Sequence, residues 1–148
     1  MELRNNSAVR VFRRAAIAHE EAARLLLSHC SKGESSTLCG EVIYLSGYVA
    51  ECALKAVAFS WTPDKQHSKL EASFKTPKGP GHDLEKLRSL LIRKGCPVPT
   101  AVREVVALLS TRWYTQMRYS GRSYRYDEAA AIQAATGQIL DWIREDVR

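Results

Sequence analysis

Apolar residues recur along this chain at helical spacing, interrupted by polar turns, and that pattern predicts five helices. Between Val9 and about His29, Val9, Phe12, Ala16, Ala23 and Leu26 or Leu27 fall on one face, while Arg10, Arg13, Arg14, Glu20, Glu21 and Arg24 form the other. Glu20 precedes Arg24 by four residues, the spacing of a surface ion pair. After a polar loop over residues 31–37, a second helix is expected from about Leu38 to Ser60. Its inward stripe is Val42, Leu45, Val49, Cys52, Ala53, Ala56 and Val57. Gly47, Ala50, Ala53 and Ala56 leave room for a close neighbour. The helix-weakening glycine is therefore expected to be offset by tight packing or by a subunit contact.

Residues 61–81 hold three prolines, two glycines and Lys65, Lys69, Lys75 and Lys78 with little periodicity, so a long basic loop is expected there. Asp83 then stands where an N-cap would, ahead of Leu84, Leu87, Leu90 and Leu91, and Gly95 marks the end of this third helix. Pro97 and Pro99 prevent its continuation. Thr100 is expected to cap a fourth helix carrying Val102, Val105, Val106, Leu109, Trp113 and Met117. A last helix is expected from near Asp127, with Ile132, Ala135, Ile139, Ile143 and Val147 inward. No strand pattern competes, and no repeat or linker divides the chain. The expectation is one all-α domain over residues 1–148, an up-and-down antiparallel bundle of about five helices.

Composition narrows the chemistry. With 45% hydrophobic and 26% charged residues, the chain can bury a core. A net charge of +6 favours phosphate-bearing or other anionic partners. Cys30, Cys39, Cys52 and Cys96 show no CxxC spacing, and His19, His29, His67 and His82 no HxxxH or HExxH spacing. No metal, no cofactor and no disulfide framework is expected. GxxxxGK[ST], GxGxxG and GxSxG motifs are absent, so ATPase, dinucleotide and serine-hydrolase readings lack their sequence markers. The N-terminal residues have no apolar secretory stretch and no run is apolar for long enough to span a bilayer. A cytoplasmic protein without a membrane partner is the expectation.

Two clusters carry candidate chemistry. Tyr44, Tyr48, Glu51 and Lys55 share one face of the second helix, either as a ligand-facing or subunit-facing stripe or as a partly buried row with an ordinary Glu51–Lys55 pair. Arg112, Arg118, Tyr119, Arg122, Tyr124, Arg125 and Tyr126 interleave guanidinium groups with aromatic rings, a composition suited to phosphates and stacked bases. The alternative is that Trp113, Tyr119 and Tyr126 complete the core while the arginines are solvated. His82 is a candidate acid–base group, since imidazole titrates near neutrality, or a structural residue beside a capping aspartate.

Three segments, Gly47-Tyr-Val-Ala-Glu-Cys-Ala-Leu-Lys55, Gly81-His-Asp-Leu-Glu-Lys-Leu87 and Thr111-Arg-Trp-Tyr-Thr-Gln-Met-Arg-Tyr119, taken in this order, resemble the HEPN family of small helical domains. The resemblance runs from about Val9 to Arg144. It implies a dimeric helical bundle that binds nucleotide or RNA, with a minimal nucleotidyltransferase as protein partner in a toxin–antitoxin or defence setting. By the same resemblance, Arg112, Arg118, Tyr119, Arg122, Tyr124, Tyr48, Glu51 and Lys55 become binding candidates. Arg112, Arg118 and His82 become candidates for catalysis in a metal-independent ribonuclease.

Active members of that family carry an Arg, four to six residues and a His in the later half. Here Arg112 is followed after five residues by Arg118, whose guanidinium cannot serve as a base near neutral pH. Literal matches at Arg14–His19 and Arg24–His29 lie on the first helix instead. Three functions follow as expectations: a nucleotide- or RNA-binding module, a ribonuclease toxin, and a non-catalytic protein-interaction module.

Overall fold

The structure is a computed structural model that describes residue 3 and residues 6–144, apart from the Arg118 side chain. It is an all-α helical bundle. In chain order the elements are α1 (Ser7–Ser28), β1 (Ser35–Ser36), α2 (Thr37–Ser60), α3 (His67–Phe74), α4 (Leu84–Arg93), α5 (Thr100–Arg112), β2 (Tyr124–Arg125) and α6 (Tyr126–Arg144). Short 3-10 turns precede α3 at Asp64–Gln66 and follow α5 at Thr115–Tyr119.

The central helix is α2. Its inward stripe broadens into burial on nearly every side from Ser46 to Ser60, because α1, α6 and α4 all pack on it, α1 most extensively. By length and composition α2 is apolar enough to cross a membrane, yet 78% of its most apolar window is buried by the rest of the protein. One cluster of buried side chains draws on all six helices, among them Ala16, Leu54, Phe74, Leu87, Leu109 and Ile139. Burial of this apolar surface is the main stabilising term.

Helix ends follow local chemistry. Asn6 Oδ1 accepts from Val9 N at 3.0 Å and starts α1, Ser36 Oγ accepts from Cys39 N at 3.2 Å and starts α2, and Asp83 Oδ1 accepts from Lys86 N at 3.0 Å and starts α4. The exit from α4 uses Gly95 at φ 79°. Cys96 N reaches back to Leu91 O and Gly95 N to Ile92 O, the paired bonds of a Schellman ending, which a side chain at residue 95 would strain. The expected Glu20–Arg24 pair is present at 3.7 Å, and Glu20 also accepts from Gln133 on α6.

Four expectations need correction. Residues 61–81 are not one long loop. Leu70 and Phe74, four apart, turn into the core and fold His67–Phe74 as α3, a helix too short to leave a periodic signal. His67 Nε2 donates to the carbonyls of Phe59 (3.1 Å) and Thr62 (3.0 Å), satisfying oxygens at the end of α2. The four lysines of this segment are exposed.

With α3 the described residues hold six α-helices, against about five expected. The fourth expected helix stops at Arg112: Trp113 is extended (φ −110°, ψ 134°), and Met117 reaches the core from a 3-10 turn. Thr100 is the first helical residue of α5, and Pro99 occupies the cap position without a side-chain bond. Finally, β1 and β2 form a two-residue antiparallel pair, Ser35 opposite Arg125 and Ser36 opposite Tyr124. The Val147 position expected on the last helix lies outside the described residues.

Candidate functional site

The site is built on the stripe of α2. Glu51 is 4% exposed in the middle of the most buried helix, and its two carboxylate oxygens are both engaged. Oε1 accepts from Lys55 Nζ at 2.6 Å, one helical turn along. Oε2 accepts from His82 Nδ1 at 2.9 Å, across to the turn that precedes α4. A carboxylate only accepts, so Nδ1 carries the imidazole proton and Nε2 is left with its lone pair whenever His82 is neutral. His82 is partly exposed, its side chain retaining 57% of its accessibility, so the ring spans from a buried acid to solvent.

Lys55 lies deeper. Its ammonium sits 5.1 Å from the Phe74 ring centroid and 5.9 Å from that of Phe12, so two aromatic faces and Glu51 compensate a charge that is only 8% exposed. Burial pushes the neighbouring Cys52 thiol up to about 12, the Glu51 charge adding to this and Lys55 opposing it.

Aromatic rings enclose the pair. Around Tyr48 stand Tyr44 (5.0 Å between centroids), Trp113 (5.3 Å), His19 (5.5 Å) and His82 (6.1 Å). The Tyr44 and Tyr48 hydroxyls are 3.2 Å apart. Trp113 explains Gly47: a Cβ on that glycine would stand 2.1 Å from the indole, and the indole Nε1 donates to Tyr44 O at 3.0 Å. Of the two offsets expected for this glycine, close packing accounts for it within the chain.

Beyond His82 opens a cleft of about 430 Å³, lined among others by Asp83, Glu85, Trp113, Tyr114 and Gln116. This is roughly the volume of a small-molecule site. Its described lining contains no lysine or arginine. Asp83 is committed to capping α4, and Glu85 accepts from Arg88 Nε at 2.7 Å.

The remaining candidates lie elsewhere. Arg112 pairs with Glu128 across a separate groove between α5 and α6 and does not line the cleft. The Arg118 backbone belongs to the 3-10 turn after Trp113, and its side chain lies outside the described structure. Tyr119 is 73% exposed. Tyr124 is buried against Gly40, whose Cβ would meet the ring at 3.0 Å, and the Arg122 guanidinium lies 5.5 Å from that ring's centroid. Burial, with Tyr114 beside it, raises the Tyr124 phenol above its ordinary range. Arg125 pairs with Asp127 at 3.4 Å.

The structure thus joins Tyr44, Tyr48, Glu51, Lys55 and His82 in one cluster, and leaves Arg112, Tyr119, Arg122 and Tyr124 outside it. His19 and Trp113 belong to the cluster although the sequence reading gave neither a place in it. His19 continues the inward row Phe12, Ala16 and Ala23, and that spacing was the available signal.

No protein-family model matches the chain, and neither the curated proteins nor the solved structures contain a match to it. The protein is an all-α bundle in which a buried carboxylate holds a solvent-facing imidazole at the mouth of an aromatic cleft.

Proposed function

We propose that this protein is a HEPN-like module that binds nucleotide or RNA. In this reading it acts as a homodimer beside a nucleotidyltransferase partner in a toxin–antitoxin or defence setting. The observation that carries the reading is the meeting of the three distant segments behind the resemblance. Gly47–Lys55 supplies Glu51, Gly81–Leu87 supplies His82, and Thr111–Tyr119 supplies Trp113, the last two facing one cleft. The cleft accepts a base or ribose against Trp113 and Tyr114, with His82 at its edge. Phosphates extend toward the exposed strip holding Tyr119 and Arg122, where a guanidinium group suits their oxygens.

The test is the affinity for a fluorescent single-stranded RNA and for mononucleotides at two salt concentrations. Binding that weakens with salt, and weakens about tenfold or more in Arg122→Glu, supports the reading. No binding by the wild type, or an unchanged affinity in the variant, rejects it.

A second reading, a metal-independent ribonuclease, is favoured by one observation, the Glu51–His82 hydrogen bond. An imidazole held through Nδ1 by a buried carboxylate presents Nε2 as a base for a ribose hydroxyl. RNA cleavage in EDTA that disappears in His82→Ala supports it. Absence of cleavage, or cleavage indifferent to that substitution, removes it.

A further inference from the structure

We propose that the hollow between α3 and the end of α4 binds a doubly charged phosphate, either inorganic phosphate or the terminal group of a phosphate monoester. The hollow has a volume of about 200 Å³ and is lined by Thr62, Gln66, Lys69, Leu70, Ser73 and Lys94. It shares none of these residues with the His82 cleft.

Donors dominate this wall. Thr62 Oγ1 donates to Ala58 O at 2.7 Å and Ser73 Oγ to Leu70 O at 2.6 Å, so both hydroxyl protons are committed within the chain. The ammonium groups of Lys69 and Lys94 and the amide of Gln66 are left to meet a ligand. The described lining holds no Asp or Glu. Acids on α3 and in the turn before it are engaged elsewhere: Asp64 lies 3.6 Å from His67 Nε2, and Glu71 lies 3.6 Å from Lys75 Nζ. Two cations therefore line one hollow, and among the described residues neither has a carboxylate partner. Their mutual repulsion is relieved by an anion and opposes a cationic ligand.

Both lysines stand on elements that the core holds in place. Leu70 and Phe74 bury one side of α3, and His67 ties the start of that helix to the last carbonyls of α2. Lys94 caps α4, its N–H donating to Leu90 O and Leu91 O at 3.1 Å, and it is half-buried where Lys69 is exposed. The backbone around the hollow thus needs no ordering by the ligand. Charge selects the class of phosphate. A monoester carries about two negative charges near neutral pH, matching the two ammonium groups, whereas each phosphodiester of an RNA backbone carries about one. The site is independent of whether RNA enters the His82 cleft.

The test titrates the isotopically labelled full chain with inorganic phosphate at neutral pH and fixed ionic strength, sodium chloride serving as the balancing salt. The expected result is a saturable set of amide shifts at residues 62, 66, 69, 70, 73 and 94 that chloride alone does not produce. Lys69→Gln and Lys94→Gln each weaken binding about tenfold or more, with the rest of the spectrum unchanged. A short RNA bearing a 5′-phosphate shifts the same residues, and the same RNA with hydroxyl ends does not. A wild type with no saturable shift, with shifts centred elsewhere or with an equal response to chloride overturns the proposal. So does an equal response to the two RNAs, or an unchanged affinity in both variants. The wild-type outcomes decide it even if a variant fails to fold, and they leave the RNA reading of the His82 cleft to its own test.

Discussion

His82 Nδ1 donates to Glu51 Oε2 at 2.9 Å, joining the turn before α4 to the centre of the most buried helix. The same carboxylate holds Lys55 at 2.6 Å, so one buried acid serves both an internal cation and a solvent-facing imidazole. Removing Glu51 leaves the Lys55 ammonium without its counter-charge between two phenylalanine rings. Glu51→Ala is expected to cost about 3 kcal/mol or more in urea unfolding, whereas the double change Glu51→Leu, Lys55→Met recovers most of that loss. Equal stability of the single variant and the wild type would contradict a buried, paired Lys55.

Gly47→Ala sets two effects against each other. Alanine gains about 1 kcal/mol of helix propensity over glycine, but its methyl would stand 2.1 Å from the Trp113 indole. Displacing the indole also breaks its bond to Tyr44 O. Overpacking costs about 1–3 kcal/mol before the lost hydrogen bond is counted, so a net destabilisation is expected. A changed tryptophan emission should accompany it. A more stable variant with unaltered fluorescence would show that Trp113 does not fill the notch.

The pH dependence of stability should carry a signature of His19. Burial lowers its pKa below 6.5, with the Glu51 charge pulling upward, so the folded protein binds this proton less readily than the unfolded chain. Its contribution is therefore complete above pH 6.5 and is lost as pH falls from there through the folded value. In His19→Gln this part of the acid-side decline should flatten. Parallel wild-type and variant profiles below pH 6.5 would remove His19 from the buried cluster.

Arg112 makes a different kind of pair. It meets Glu128 with half its side chain exposed, so Arg112→Ala should cost less than about 1 kcal/mol and the loss should shrink with added salt. Thermal melts at low and high ionic strength check this. A large, salt-independent loss would assign Arg112 a packing role that its exposure does not suggest.

Much of the bundle was legible because helix faces are written locally. The row Val42, Val49, Cys52, Ala53, Ala56 and Val57 gives α2, and Asp83 before Leu84 gives the start of α4. The hidden parts depend on contacts between distant residues or on very short elements. α3 has two inward residues, Leu70 and Phe74, and the β1–β2 pair is two residues long and held by backbone bonds. Trp113 continues the apolar spacing of α5, yet it leaves the helix because its indole fits the notch at Gly47.

The candidate site divides the same way. Glu51 and Lys55 sit at the spacing of a helical pair, and the ion pair is there. The Glu51–His82 bond crosses elements, and nothing in either segment alone encodes it. The arginine–tyrosine strip reads as one composition, yet its rings part: Tyr124 is buried against Gly40 while Tyr119 faces solvent.

The most direct test of the central claim is a titration of isotopically labelled protein with a short single-stranded RNA, followed by amide chemical shifts. The account predicts salt-sensitive perturbations confined to residues 82–85, 110–116 and 119–125, strongly reduced in His82→Ala. No perturbation, or one centred on a surface remote from those residues, would contradict it.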